Sequence, residues 1–347
     1  MTEPRLGLSR LGVHWLAALA TLATFVLLAS GGLVTSHGVG LAVPDWPSTF
    51  GYNMFLFPVS RWVGGVFYEH THRLIASGVG MLTVTLAIWL FIAEPRQWVK
   101  VLGIAALAAV ILQGVLGGLR VTLLKDELGI FHGMLAQSFF VLLGIISVVT
   151  SGRFLRGDWA PAMETGNLRR WMLALTILVF LQLGIAATMR HSHAGLSIPD
   201  FPAAYGHVLP DTSSSAVEAI NRQRFVAGEA PTTAAQIWLQ MAHRFVAAAI
   251  FVLALAFAWR ASREPAAPGY ARVWAMVLLG MVVIQIGLGA WTIWSNKAAD
   301  VATAHMALGA LTLFVCGRLT FRLYAADRMG RRRKSPQAGR DAAIAMG

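Results

Sequence analysis

Four of the ten histidines recur in register, and their spacing is the first sign of chemistry in this 347-residue chain. His72 lies 60 residues before His132, and His243 lies 62 residues before His305. The members of each pair begin the second and fourth of four consecutive apolar stretches, so their rings come to matching depths. An ionisable group inside a membrane-spanning segment is costly enough to be a functional candidate from the start. Two imidazoles on facing helices of a bundle can supply both axial ligands of a heme iron. Zinc is the alternative, but it normally takes a third protein ligand, and only the first pair has a carboxylate nearby. A single helical histidine is most often a hydrogen-bonded packing residue; the repetition argues against that here.

The two pairs differ in their surroundings. EHTHR at 69–73 aligns with QMAHR at 240–244, so Glu69 corresponds to Gln240 and Arg73 to Arg244. Glu69 precedes His72 by three residues, which on a helix puts both on one face. A buried carboxylate costs several kcal/mol unless paired or protonated. The half that keeps Glu69 is therefore the candidate for catalysis, and the half with Gln240 for support. An ion pair of Glu69 with Arg73, its i+4 neighbour, is the structural alternative. Arg73 and Arg244 could hold heme propionates through charge-assisted bonds or anchor the helix ends in the headgroups. Gly114, Gly117, Gly118, Gly133, Gly287 and Gly289 could make room for a flat macrocycle, or let helices pack closely. His14 reads as packing, and His37, His191, His193 and His207 as solvated loop residues. His70 is set aside as a ligand because its counterpart is Met241.

Composition names the scaffold that must carry these residues. Hydrophobic residues make up 56% and Asp, Glu, Lys and Arg only 13%, about half the charged share of a soluble domain. Mean hydropathy is +0.63. This excludes a soluble enzyme, a disordered chain and a secreted disulfide scaffold. A bilayer core takes about 20 apolar residues per helix. Eight stretches qualify, near 11–34, 66–92, 100–121, 130–150, 171–189, 236–259, 273–294 and 301–324. The first exceeds the apolar part of a signal peptide and seven spans follow, so it is read as retained. With the N-terminus inside, 19 of the 28 Lys and Arg fall on cytoplasmic segments. Both termini are then cytoplasmic and the histidine pairs lie near the outer face. The net charge of +12 becomes a topology signal, with the RRRK run at 331–334 facing anionic lipid, and not a nucleic-acid footprint. The single Cys316 allows neither an intramolecular disulfide nor a cysteine metal site.

The chain also repeats itself. SHGVGLAVPDWP at 36–47 matches SHAGLSIPDFP at 192–202, with Gly40, Leu41, Pro44, Asp45 and Pro47 recurring at an offset of 155. HRLIASGVG at 72–80 matches HRFVAAAIF at 243–251, QGVLGG at 113–118 matches QIGLGA at 285–290, and FHGMLAQ at 131–137 matches AHMALGA at 304–310, at offsets of 171 to 173. The jump in offset predicts an insertion of about 16 residues around 203–235, a difference read from the alignment. Four spans per half give both halves the same orientation, related by an axis along the bilayer normal. The expected fold is all-α and integral to the membrane, with eight transmembrane helices as two pseudo-symmetric four-helix bundles. Its parts are an N-terminal bundle at 1–160, a C-terminal bundle at 161–325 and a basic cytoplasmic tail at 326–347. Trp46 and Phe201, in the outer loops, could plug the sites or belong to an interfacial belt.

With these features in place, the chain resembles the heme A synthase family. The resemblance is carried by EHTHR with Glu69 and His72, FHGMLAQSFF with His132, QMAHRFVA with His243, TAHMALGAL with His305, and the PDWP loop. It runs from about residue 10 to 324. It implies that His72 and His132 are axial ligands of the substrate, heme O, and that His243 and His305 ligate a heme b cofactor. Glu69 matches the family's essential carboxylate. The reaction implied is oxidation of the C8 methyl of heme O to a formyl group, by successive oxygenations through an alcohol. Glu69 could stabilise a cationic intermediate or position water. The resemblance further implies a bacterial inner (plasma) membrane location, with heme O synthase and cytochrome oxidase assembly factors as candidate partners. It leaves a homo-oligomer open. One departure stands out: Val43 and Ile198 occupy positions where many members have a cysteine before PDWP, so no loop disulfide acts here.

Two other classes compete. A di-heme b-type electron-transfer cytochrome explains four histidines equally well, but not why only one half keeps a carboxylate. A transporter built from parallel repeats explains the duplication without requiring matched histidines. The prenyltransferase that makes heme O should show Asp-rich diphosphate motifs, and the chain has none.

Overall fold

The computed structural model describes residues 8–159, 166–264 and 267–333. Its α-helices are α1 (Leu8–Ser36), α2 (Gly64–Ala93), α3 (Gln97–Leu123), α4 (Glu127–Thr150), the single turn α5 (Gly152–Leu155), α6 (Leu168–His191), α7 (Ser214–Val226), α8 (Ala234–Arg263), α9 (Gly269–Trp294) and α10 (Ala299–Arg333). Eight of them, all but α5 and α7, are long and apolar enough to cross a membrane. The protein is a multi-pass, all-helical membrane protein.

Local chemistry sets where the spans stop. α2 and α8 are both 30 residues long and end at a Glu-Pro dipeptide. A residue before proline is pushed out of helical space, and both Glu94 and Glu264 are extended. α8 starts with a capping box, in which Thr233 and Gln236 satisfy each other's backbone N–H groups, as two orphan donors at a helix start require.

α1 and α3 each pack on α2 and α4, making one ring of four helices; α6 and α9 each pack on α8 and α10, making a second. Each ring has its own apolar core: Val79, Leu86, Leu143 and Ile146 are buried in the first, Leu175, Phe257, Leu278 and Leu323 in the second. The rings meet where α1 and α4 pack on α10, and α4 on α6. Phe140 stacks there between Phe25 and Phe314, at ring distances of 5.7 and 4.5 Å. Small residues admit these contacts, since lipid offers no hydrophobic drive and close packing must supply the attraction. A Cβ at Gly144 would collide with Phe314, and one at Gly317 would lie 2.8 Å from Val141. Large apolar side chains such as Leu22, Phe91 and Ile284 point outward.

Two boundaries differ from the sequence expectation. α10 continues to Arg333, so the start of the expected tail is helical, and Asp327 there pairs with Arg169 and Arg331. The insertion begins later than residue 203, because the repeated loop fold continues through His207. Thr49 bridges Tyr52 as Ala204 bridges His207, and the extra chain carries α7.

Candidate functional site

α2 and α4 bring His72 and His132 together in the first ring, and α8 and α10 bring His243 and His305 together in the second. The His243 and His305 ring centres are 6.3 Å apart. At that separation the two rings would be able to hold one heme iron between them. His72 and His132 are near enough to interact electrostatically. All four rings are partly buried, and each keeps a buried Nδ1 with no hydrogen-bond partner. Among the described residues no group of three His, Cys, Asp or Glu could hold a metal ion. Each site therefore offers two protein ligands, which suits a metal that brings its remaining ligands in a macrocycle better than zinc, which wants three or four.

Glycines seat the rings. A Cβ at Gly31 would lie 3.0 Å from the His72 ring, one at Gly117 3.4 Å from His132, and one at Gly289 3.1 Å from His305. A Cβ at Gly114, Gly133 or Gly287 would meet nothing. Gly118 has another task, because the Trp46 indole lies on it. Two side chains that the repeat exposed only as markers brace the ligand helices. Gln113 donates to the His132 carbonyl (3.0 Å), and Gln285 to the His305 carbonyl (2.8 Å). Gln182 does the same for His243 (2.9 Å). Their recurrence within QGVLGG and QIGLGA was the available signal.

The loops over the two sites share one design and differ in charge. Glu69 accepts from the Val43 N–H (2.9 Å) and pairs with Arg73 (2.8 Å). Gln240 accepts from the Ile198 N–H (2.7 Å) and donates to the Ile198 carbonyl (3.2 Å). Both residues are buried. One carboxylate oxygen thus takes the loop's Val43 N–H and the other the Arg73 guanidinium one turn along the same helix. Arg73 also donates to the carbonyls of Val43, Asp45 and Ser48, and Arg244 to those of Asp200 and Ala203. These contacts tie down the loops.

The remaining histidines sort themselves by contact. His14 binds the Ser147 carbonyl through Nδ1 (2.8 Å), as packing requires, and His37 stacks on Tyr68. His191 departs from the solvated-loop expectation, since it ends α6 and packs against Gly129. His70 is fully buried between Trp62 and Phe57 and meets Thr49 through Nδ1 (3.2 Å). It locks the loop onto α2.

Two expectations concern these loops. A Cβ at Gly118 would lie 2.5 to 2.7 Å from the Trp46 ring. Gly118→Val is expected to lift Trp46 at a cost of about 1–3 kcal/mol. Amide exchange across residues 39–52 should accelerate, while Gly114→Val leaves it unchanged. Asp45 is the other. Burial raises its carboxyl pKa, but bonds from the Gly51 N–H, the Ser48 hydroxyl and the Phe50 N–H outweigh that and hold it below the usual value. Its stabilisation of the loop is therefore complete above the free carboxylate pKa of about 4. It is lost as pH falls through the depressed one. Protection of the Phe50 and Gly51 amides should fall in acid in the parent, and should be low at every pH in Asp45→Asn.

Residues 52–316 match the COX15-CtaA family, described as cytochrome oxidase assembly protein. The chain belongs to that family. Three proteins named heme A synthase are similar along most of their length. The one from Lysinibacillus sphaericus is 25% identical over 302 residues, covering 85% of this chain and 90% of its own. That from Geobacillus kaustophilus is 26% identical over 304 residues, covering 84% and 86%. That from Caulobacter sp. is 26% identical over 341 residues, covering 89% and 95%. The COX15-CtaA match includes all four paired histidines, Glu69 and Gln240, together with Arg73 and Arg244.

Proposed function

We propose that this chain is a heme A synthase, a membrane oxidoreductase that takes heme O to heme A. His72 and His132 would hold the substrate heme O, and His243 and His305 a resident heme b. The supporting residues are of the right kind: paired imidazoles, glycine seats and no third metal ligand among the described residues. Heme iron, when bound, supplies the redox chemistry. The substrate's C8 methyl would pass through an alcohol to the formyl group by successive oxygenations.

The observation that carries this reading is the acid-for-amide difference at one position where the loop contacts of the two sites match. Glu69 and Gln240 occupy the same depth and bind the same loop N–H, yet only the first carries a charge. Arg73 and the Val43 N–H hold the Glu69 carboxyl group in place, and the loop covers it from water. A charge held there can stabilise positive charge developing on the methyl carbon, or orient water. The N-terminal part at 1–160 is then the substrate unit, 161–325 the cofactor unit and 326–347 a basic tail. Both termini would be cytoplasmic in a bacterial inner membrane, with the hemes near the outer face. Heme O synthase and cytochrome oxidase assembly factors are the matching partners, and self-association is compatible with this arrangement.

The test is co-expression with a source of heme O in a host lacking heme A, followed by heme extraction, chromatography and mass measurement. Heme A or its alcohol precursor is the expected product. Unmodified heme with intact bis-imidazole spectra would select the second reading, a di-heme b-type electron carrier. The engagement of Glu69 with Arg73 and the loop would suit that protein equally.

A further inference from the structure

A buried cation without an acid marks a place where a ligand's negative charge belongs, because an uncompensated charge out of water is strongly unfavourable. Each half has one. Arg190, in the last turn of α6, is mostly buried and donates to two hydroxyls of α1, Thr35 Oγ1 and Ser36 Oγ. Among the described residues no carboxylate pairs with it. Its charged neighbour is instead a second cation, Lys297, whose ammonium is held below its ordinary pKa by burial and by Arg190. Ser36 Oγ also accepts from Thr303 Oγ1, two residues before His305 on α10, which places Arg190 beside the second pair.

Arg120, in the last turn of α3, stands in the same relation to the first pair. It acts on both His72 and His132. Its side chain is 18% exposed, and its one acid, Asp126, is 3.6 Å away and half exposed. Nε is buried without a partner. The guanidinium lies over Gly40, where a Cβ would come within 2.7 Å of Nη1, so the loop is shaped around it. Arg73 and Arg244 differ from these two in giving terminal nitrogens to loop carbonyls.

We propose that Arg120 and Arg190 receive the carboxylates of the porphyrin in their respective halves, with Lys297 joining Arg190. This rests on the reading of the histidine pairs as heme sites. The two anchors are not repeat equivalents: the offsets place Thr292 opposite Arg120 and Thr35 opposite Arg190. One comes from the third helix of its ring and the other from the first. The porphyrin edges are therefore held from different directions in the two halves, which distinguishes the substrate seat from the cofactor seat.

The test uses the full-length protein, purified heme-poor, titrated with ferric protoporphyrin IX and separately with its dimethyl ester. A His305→Ala background reports the first site, and a His132→Ala background the second. With both anchors intact, each background is expected to prefer the diacid by about tenfold or more, as a charge-assisted bond to one carboxylate would give. Arg120→Gln in the first background and Arg190→Gln in the second should abolish that preference while keeping the imidazole-ligated spectrum. The lysine variants should restore part of it. The heme-free melting temperature should hold or rise, because each variant removes a buried charge that no buried acid compensates. An undiminished preference for the diacid overturns the assignment and leaves the heme sites standing. Equal loss of diacid and ester, with a lower heme-free melting temperature, makes the arginines structural and also overturns it. Absence of any imidazole-ligated spectrum in the parent backgrounds overturns the heme reading itself, and this proposal with it.

Discussion

Glu69→Gln is expected to leave the first loop in place and both hemes bound, and to cut heme A production by about 100-fold or more, the scale of a lost catalytic proton or charge group. The second half shows why the variant is clean. Gln240 accepts from the Ile198 N–H and donates to the Ile198 carbonyl. A glutamine at 69 can do the same at Val43, whose N–H it already faces. Arg73 would keep the carbonyls of Asp45 and Ser48. Geometry is thus preserved and only charge removed. Glu69→Ala would strip the Val43 N–H of its acceptor and confound loop stability with chemistry, since an unsatisfied buried donor costs about 1–3 kcal/mol. The measurement is the ratio of heme A to heme O in extracts, with bound-heme spectra as the control. Parental heme A levels in Glu69→Gln would reduce Glu69 to a loop clamp.

The second large effect separates the two histidine pairs. His243→Ala or His305→Ala is expected to empty the second half of its resident heme and to end activity. His72→Ala or His132→Ala should retain that heme and fail only in taking up substrate. A ligand present at 1,000 times its dissociation constant contributes about 4 kcal/mol of stability. The second-half variants should accordingly melt well below the parent, by an amount that added heme no longer recovers. Heme content per chain and melting curves with and without heme decide the matter. Equal heme loss from both sets of variants would mean a single shared site.

Membrane insertion depends on composition within one window of the chain, so the eight spans and the all-helical class were legible from local sequence alone. The Glu-Pro stops of α2 and α8 were equally local. Duplication made the histidine pairs legible too, because it converts distant positions into matching motifs, and the 6.3 Å approach of His243 to His305 is the spatial form of that match. Spacing also put Glu69 within reach of Arg73, four residues along one helix.

Whether that carboxylate points at the loop or into the ring of helices depends on Val43, 26 residues away, and on a fold that brings it there. The same holds for Trp46, which no local pattern assigns to Gly118. It holds for His191, which reads as a loop residue until α6 is seen to carry it against Gly129. Arg120 and Arg190 lie outside the repeated motifs altogether, and only the packed structure shows that Arg190 has no acid partner among the described residues and that Arg120 has only the half-exposed Asp126. Sequence alone determined which segments cross the membrane and which residue types recur, because hydropathy and duplication act along the chain. Tertiary structure decided which charges are compensated, because a charge's partner is set by distance in space and by the exclusion of water.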